Sequence, residues 1–277
     1  MRLPMIAASF GMVFAAGAAQ AATPRVEIKD AVARVTVIPE DRSDIKVEFL
    51  STNPKLPLKL RTANGKVMID GDLDRKIRSC KGEGAGVRVQ VAGVGQVAYA
   101  DMPQVVIRTP CNVDIQTGGA VYGAVGKSAS MELSNAGCGD WTIANVAGQL
   151  KVSQAGSGDT FTGSAQGAVI HAAGSGDIKT MAIKGPLEIS IAGSGDVRAA
   201  AVEGSLNIKA AGSGDVKVAA GRVDAMNVAV AGSGDVDFRG VAQTLKARIA
   251  GSGDVRVREV KGAVSKTIMG SGAVTIG

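Results

Sequence analysis

The sequence is poor in aromatic residues and has a single histidine, and both shortages narrow the fold and the chemistry. Phe, Trp and Tyr make up 3% of the 277 residues, so a core must be built from aliphatic side chains. One histidine leaves little for acid–base catalysis or for a histidine-rich metal site. After the N-terminus, no apolar run reaches the roughly 18 residues that a membrane-spanning helix needs, so no transmembrane segment is predicted.

The distribution of basic residues along the sequence bears on whether the protein binds nucleic acid. The formal net charge is +6, but the basic residues are spread singly through the chain. A nucleic-acid-binding protein concentrates them in a patch or stripe. The sequence therefore predicts no nucleic-acid partner.

The N-terminus has the pattern of a secretory signal peptide. Met1-Arg2 precedes an apolar run, residues 3–16, and the small-residue sequence Ala19-Gln20-Ala21 follows. This order of a charged start, a short apolar segment and a small-residue cleavage site is typical of such signals. Residues 1–21 are the predicted signal, and the predicted location is the periplasm, the cell surface or the medium.

A short turn sequence repeats through the second half of the chain. Ala-Gly-Ser-Gly-Asp occurs at residues 155–159, 173–177, 192–196, 211–215, 231–235 and 250–254. Variants occur at residues 136–140 and 269–273, and the spacings are 19, 18, 19, 19, 20, 19 and 19 residues. A fixed period in this range indicates stacked structural repeats.

Apolar residues alternate with polar ones on both sides of each turn. Leu187, Ile189 and Ile191 precede one turn, and Val197 and Ala199 follow it. A period of two indicates strands, and parallel stacking of such units buries one face of each strand. The predicted fold is all-β, a single-stranded parallel β-helix with about 19 residues per rung, right-handed as parallel crossovers usually are. The number of sheets per rung stays open.

Weaker copies of the pattern lie upstream, at residues 87–97 and 111–121. The predicted solenoid therefore spans residues 85–277. Exposed solenoid ends usually carry atypical capping segments, so residues 22–84 are predicted to form an N-terminal β cap that continues the stack.

The repeat aligns seven aspartates in one column, with neighbours about 4.8 Å apart. They are Asp140, Asp159, Asp177, Asp196, Asp215, Asp235 and Asp254. Like charges at that spacing repel by roughly 1 kcal/mol in bulk water and by about 3 to 4 kcal/mol at an effective dielectric near 20. One interpretation is structural: each carboxylate accepts backbone N–H bonds within its own turn. Lys179, Arg198, Lys217 and Arg256 would then neutralise the column.

The alternative interpretation of the aspartate column is a calcium ladder. Half the rung spacing is about 2.4 Å, within the calcium–oxygen range, although calcium prefers six to eight oxygens. Otherwise no cofactor is predicted, and no catalytic residue is assigned.

The repeated Gly-Ser-Gly-Asp turns behind a signal peptide and a Val-x-Val strand segment resemble the bacterial family called putative auto-transporter adhesin, head GIN domain. The resemblance implies an exported β-helical domain with an adhesive role and no established reaction.

Three cysteines in a chain bound for an oxidising compartment favour a disulfide. Cys80 lies in a glycine-rich stretch and Cys111 begins a strand. A bond between Cys80 and Cys111 would tie the cap to the stack, leaving Cys138 as the odd thiol.

Three functions compete at this point. The leading hypothesis is a non-enzymatic binding or scaffold protein of the cell envelope that contacts a glycan or a surface protein. The second is a polysaccharide-active β-helix enzyme with a site between residues 96 and 120, near Asp101 and Arg108. The third is self-assembly through the C-terminal edge, where Lys266 is predicted to point inward and an unpaired edge can pair with another copy.

Overall fold

The structure is a computed structural model that describes residues 24–63 and 65–277. The predicted signal peptide, residues 1–21, lies outside the described residues. The strands of the described part are β1 (Arg25–Glu40), β2 (Lys46–Ser51), β3 (Lys59–Ala63), β4 (Lys66–Asp70), β5 (Ile77–Lys81), β6 (Arg88–Val91), β7 (Gly95–Ala98), β8 (Gln104–Pro110), β9 (Asn112–Val125), β10 (Ser130–Asn135), β11 (Trp141–Ile143), β12 (Gln149–Gln154), β13 (Thr160–Thr162), β14 (Gly167–Ala172), β15 (Ile178–Ile183), β16 (Leu187–Ile191), β17 (Val197–Gly212), β18 (Val216–Val218), β19 (Gly221–Gly232), β20 (Val236–Gly251), β21 (Val255–Val260), β22 (Val264–Gly270) and β23 (Val274–Ile276).

From β9 onward the chain forms a parallel β-solenoid of about nine rungs, which confirms the predicted architecture. Each rung contributes one strand to each of two parallel sheets. The first sheet contains β9, β10, β12, β14, β16, β17, β19, β20 and β22. The second contains β9, β11, β13, β15, β17, β18, β20, β21 and β23. The strands β9, β17 and β20 bend between the sheets and belong to both.

The core lies between the two sheets and consists of aliphatic columns. Ile189, Ile208, Val228 and Ala247 follow one another in register and are each at most 3% exposed. Burial of such a side chain stabilises a fold by about 1.5–3 kcal/mol. One rung has no second layer to cover its apolar face, so the stack supplies the stability.

The N-terminal layers are stacked in a different order from the chain. The strand β1 pairs on one side with β9 and on the other with both β4 and β8. The first strand in sequence is therefore an inner layer, and β4 with β8 forms the next layer outward. The strands β1 and β4 thus extend the stack of layers upstream of residue 85.

Residues 71–103 are an insertion between β4 and β8. Its strands β5, β6 and β7 form a separate antiparallel sheet, so the expected rung at residues 87–97 is a hairpin instead. Gly93 and Gly95 have positive φ in the short connection, and that turn reverses the chain. The insertion packs on the solenoid through a second small core that includes Val89, Val97 and Tyr122.

The two ends of the stack differ. At the N-terminal end, β3 pairs antiparallel with β4, and β2 pairs antiparallel with β8. In the described chain no further strand covers β22 or β23, and Val264 and Ile268 are each 41% exposed. A search of the same described residues finds no helix that is long and apolar enough to cross a bilayer.

Candidate functional site

The seven predicted aspartates do form a single column on the second sheet, and their carboxylates link the rungs. Asp177 Oδ1 accepts the backbone N–H of Asp196 at 3.0 Å, and Asp196 Oδ1 accepts that of Asp215 at 2.9 Å. The other five make the same bond to the following rung at 2.8–2.9 Å: Asp140, Asp159, Asp215, Asp235 and Asp254, the last to Ala273.

The expectation that each aspartate bonds within its own turn is therefore wrong. The donors of the turn are already used, because Ser194 and Gly195 both donate their N–H groups to the carbonyl oxygen of Gly174 in the preceding rung. The N–H of Asp196, which follows, has no backbone acceptor among the described residues. A side chain replaces that acceptor, which explains why aspartate recurs once per rung.

The glycines of the turn are required by the stacking itself. A Cβ built on Gly174 would lie 2.0 Å from the carbonyl oxygen of Gly156, and the equivalent glycines meet the same obstacle. No side chain fits between rungs at this point. The turn sequence is therefore architecture.

Basic side chains neutralise much of the column. Arg198 donates to Asp177 and Asp196 at 2.7 and 2.6 Å, and Arg256 bridges Asp235 and Asp254 in the same way at 2.9 and 2.7 Å. Lys217 pairs with Asp215 at 3.0 Å. Three of the four predicted basic residues thus make ion pairs. The fourth, Lys179, places its Nζ atom 4.9 Å from the centre of the Phe161 ring.

These contacts shift the pKa values of Asp177 and Asp215. Burial alone would raise the pKa of Asp177, but the N–H of Asp196 and the Arg198 guanidinium outweigh it and lower the pKa. The pKa of Asp215 is lowered in the same way, with burial opposed by the N–H of Asp235 and by Lys217. The contacts of Asp177 and Asp215 therefore favour the charged form of these two carboxyl groups.

The geometry does not favour the calcium interpretation. One oxygen of each column carboxylate accepts an amide N–H, and Arg198, Lys217 and Arg256 occupy the second oxygen in five of the seven. Among residues 24–63 and 65–277, no group of three or more His, Cys, Asp and Glu side chains is arranged to hold a metal ion. Calcium coordination needs six to eight oxygens.

The disulfide prediction was wrong in its pairing. Cys80 is bonded to Cys138, with a Cα–Cα distance of 6.1 Å, and Cys111 is an exposed free thiol. The insertion folds back over the turn that contains Cys138, whereas Cys111 Sγ lies 3.4 Å from the carbonyl oxygen of Glu40. The Cys80–Cys138 disulfide still ties the N-terminal region to the stack, but it is attached at the turn that contains Cys138 and not at Cys111.

The least regular surface lies where the aspartate column begins. In the layers before Asp140, the same column contains Tyr122, then Arg34, then Gln104. A groove of about 370 Å³ opens along these residues. Tyr99 and Gly84 of the insertion border it, and the rest of its lining is Val35, Thr36, Gly123, Ala124, Thr142 and Phe161.

Arg34 has an unusual environment in this groove. Its guanidinium carbon lies 5.2 Å from the centre of the Tyr99 ring, and Tyr99 contacts Tyr122 edge to face at 5.8 Å. The Arg34 Nε atom is buried without a hydrogen-bond partner, and within the described residues no carboxylate lies within 4 Å of its guanidinium. Five of the seven column aspartates pair with a basic side chain, whereas the guanidinium of Arg34 faces an aromatic ring.

The pKa values of Asp140 and Tyr122 are raised, in contrast to those of Asp177 and Asp215. Burial raises the pKa of Asp140, with added repulsion from Asp159 and Glu83 that outweighs the N–H bond from Asp159. Burial, together with the Asp140 charge, raises the pKa of Tyr122 to about 12. Tyr122 is thus a neutral hydrogen-bond donor, and Asp140 is the column member with the least stabilised charge.

The structure does not bring Asp101 and Arg108, the proposed enzyme residues, into one acid–base pair. Asp101 is exposed in a short 3-10 turn, where its carbonyl oxygen accepts a bond from Asn53. Arg108 lies on β8 and pairs with Glu40 and Glu48. Sequence reasoning missed Arg34, Tyr99 and Tyr122, although Tyr99 and Tyr122 are the two tyrosines of the sequence. The rarity of tyrosine in this sequence was a usable signal. The contact between Tyr99 and Tyr122, however, depends on how the insertion packs on the solenoid.

The protein is thus a parallel β-solenoid with an irregular groove at the point where the regular column of aspartates begins. Residues 168–277 match the family described as putative auto-transporter adhesin, head GIN domain, which confirms the resemblance for these rungs. A crystal structure described as a putative lipid binding protein from Parabacteroides distasonis is 18% identical, with a TM-score of 0.49 and 92% of each chain covered. No curated protein matches the sequence.

Proposed function

We propose that this chain is an exported, non-enzymatic binding protein with an adhesin-like role at the cell envelope. The observation that carries the proposal is the use of the carboxylates. The seven regularly placed aspartates all bond to backbone N–H groups of the following rung. These seven carboxylates thus link the rungs of the solenoid instead of forming an acid–base pair across a cleft.

The shape of the stack supports a binding role in a second way. Polysaccharide-active enzymes place a carboxylate pair or an acid–base set in a shaped cleft. From residue 130 to residue 277 the rungs keep nearly constant length, and no loop long enough to form a cleft projects from them. The adhesin description of the matched family agrees with a binding protein.

Export is the finer part of the proposal. The N-terminal sequence has the order of a secretory signal, and the Cys80–Cys138 disulfide suits an oxidising compartment. The partner we propose is a glycan or a protein of the envelope. Self-association through the edge of β22 and β23 stays a prediction, which light scattering on the purified protein tests.

The test expresses the full chain in a bacterial host, follows it by cell fractionation, and measures binding of the purified protein to envelope polysaccharides by biolayer interferometry. We expect a shortened, exported form that binds without changing the polysaccharide. Retention of the full-length form in the cytoplasm would contradict export. Release of reducing ends from any polysaccharide above the background of a heat-denatured sample would favour the enzyme instead.

A further inference from the structure

We propose that the groove at the start of the aspartate column binds a saccharide that carries a carboxylate, with Arg34 as the residue that recognises the acid. This inference rests on the proposed binding function and names the ligand class and the place. Three features carry it, namely an unmatched cation, a groove with one exposed aromatic wall, and polar groups spaced on both sides of a tyrosine.

The first feature is the Arg34 guanidinium. An arginine in a protein is always charged and presents planar pairs of donors that match a carboxylate. Arg34 is partly buried, its Nε is unpartnered, and among the described residues its contact is the Tyr99 ring at 5.2 Å. That ring holds the guanidinium plane in place, which lowers the ordering cost of binding an anion. The missing partner is an acid.

The second feature is the shape of the groove. Its volume of about 370 Å³ lies at the small end of the range for small-molecule sites. Ala124 is exposed in the groove, and as a small residue it leaves the space open. Phe161 lies two layers further along the same column as Ala124, is 40% exposed and lines the groove. An exposed ring beside polar groups suits the apolar C–H face of a sugar ring.

The third feature is the spacing of the polar groups. Arg34 and Asp140 belong to layers on either side of Tyr122, so their backbones lie about 9.6 Å apart at 4.8 Å per layer. A sugar ring that lies between them places its carboxylate at Arg34 and its hydroxyl groups toward Asp140 and Thr142. Tyr122 faces the same space as a neutral donor, because its pKa is about 12.

Asp140 should make the groove discriminate between an acidic saccharide and a simple inorganic anion. Its carboxylate would repel a small dianion such as sulfate, but it accepts hydrogen bonds from the hydroxyl groups of a sugar. Its raised pKa comes from burial and from Asp159 and Glu83, so Asp140 has no basic partner of its own. The groove thus combines one site for an acid with one acceptor for hydroxyl groups.

The test is calorimetric titration of the full chain with trigalacturonate and with its fully methyl-esterified form, in which every carboxylate is replaced by an uncharged methyl ester on the same sugar backbone. We expect the acid to bind at least tenfold more tightly than the ester. In Arg34→Gln we expect the affinity for the acid to fall to that for the ester, and Arg34→Lys should recover only part of it because the paired donors are lost.

The matched control is Arg222→Gln, which removes the same charge from an exposed position on β19. It should bind trigalacturonate as the unchanged protein does. Phe161→Ala removes the exposed wall, and we expect it to weaken both ligands about equally. Thermal melts of all variants separate lost binding from lost folding.

Three outcomes would overturn the inference: equal binding of acid and ester, full binding by folded Arg34→Gln, or an equal loss in Arg222→Gln. Its failure is distinguishable from failure of the proposed function. If the unchanged protein and Arg34→Gln bind envelope polysaccharide equally, the binding function stands and the assignment of the groove falls. If the unchanged protein binds no envelope component, the function itself falls.

Discussion

The regular rungs and the N-terminal layers of this protein are stabilised in different ways. From residue 130 onward, each rung repeats the same turn, the same aspartate link and the same aliphatic columns. Between residues 25 and 125, the layers stack out of chain order, an insertion packs against them, and a disulfide joins that insertion to the turn at Cys138. The unmatched arginine and the aromatic cluster lie in this second region. The comparison suggests that the regular rungs form the scaffold, whereas the irregular N-terminal layers carry the candidate binding residues.

Loss of the disulfide is the largest effect we expect, because it removes a covalent link between the irregular and the regular region. The bond closes a separation of 58 residues, and a loop of that length predicts stabilisation of about 4 kcal/mol. We expect the double change Cys80→Ser and Cys138→Ser to lower the free energy of unfolding by a large part of this amount in urea titrations. Cys111→Ser should have little effect. If Cys111→Ser cost as much as the double change, the pairing seen here would be wrong.

Adding a side chain between two rungs tests how closely the rungs of the regular region must pack. The Cβ of Gly174→Ala would lie 2.0 Å from a backbone oxygen of the rung below, so adjacent rungs must separate. We expect a cost of about 1–3 kcal/mol or more, measured by thermal or urea unfolding. The control is Gly118→Ala in the irregular region, where nothing lies within 4 Å of the added Cβ. That change should be neutral or stabilise by about 0.4–1 kcal/mol.

Much of the regular region was predictable because one constraint recurs in every rung. The period fixed the rung length, and the alternation at Leu187, Ile189 and Ile191 assigned the inward face. The irregular region has no such repetition. The alternation at Val87, Val89 and Val91 is the same for a rung and for a hairpin, so the sequence did not reveal which one forms. The groove was not predictable, since β1 meets β9 across more than 80 residues and the contact of Arg34 with Tyr99 depends on that pairing.

The aspartate link can be tested at Asp159, which accepts the N–H of Asp177 at 2.8 Å without an arginine in contact. Asp159→Ala leaves that N–H without an acceptor, so we expect a loss of about 1–3 kcal/mol in the free energy of unfolding. Asp159→Asn keeps an acceptor oxygen and should retain most of the stability. Equal losses in the two variants would mean that charge, and not the hydrogen bond, is what the position requires.

The pH dependence of stability should differ between Asp177, inside the column, and Asp140, where the column begins. The folded pKa of Asp177 is lowered, so its stabilising effect is present above its unfolded value of 3.8 and is lost as the pH falls through the folded pKa. The folded pKa of Asp140 is raised, so ionising it costs stability as the pH rises above 3.8. At neutral pH we therefore expect Asp177→Asn to lower the melting temperature and Asp140→Asn to raise it. At a pH that protonates both carboxyl groups, both differences should shrink, and shifts of the same sign at neutral pH would contradict the assignment.

The smallest effect we expect is that of calcium, because the column carboxylates already have partners. A thermal melt followed by circular dichroism, in excess calcium and in chelator, should give the same midpoint in both conditions. A ligand that binds the folded state at a thousand times its Kd would stabilise it by about 4 kcal/mol, so a real site would not escape detection. Asp159→Ala provides the control for a positive result, since a rise caused by an ion in the column must shrink when one carboxylate is removed. A calcium-dependent rise that survives this change would place the ion outside the column and leave the hydrogen-bonded links between rungs intact.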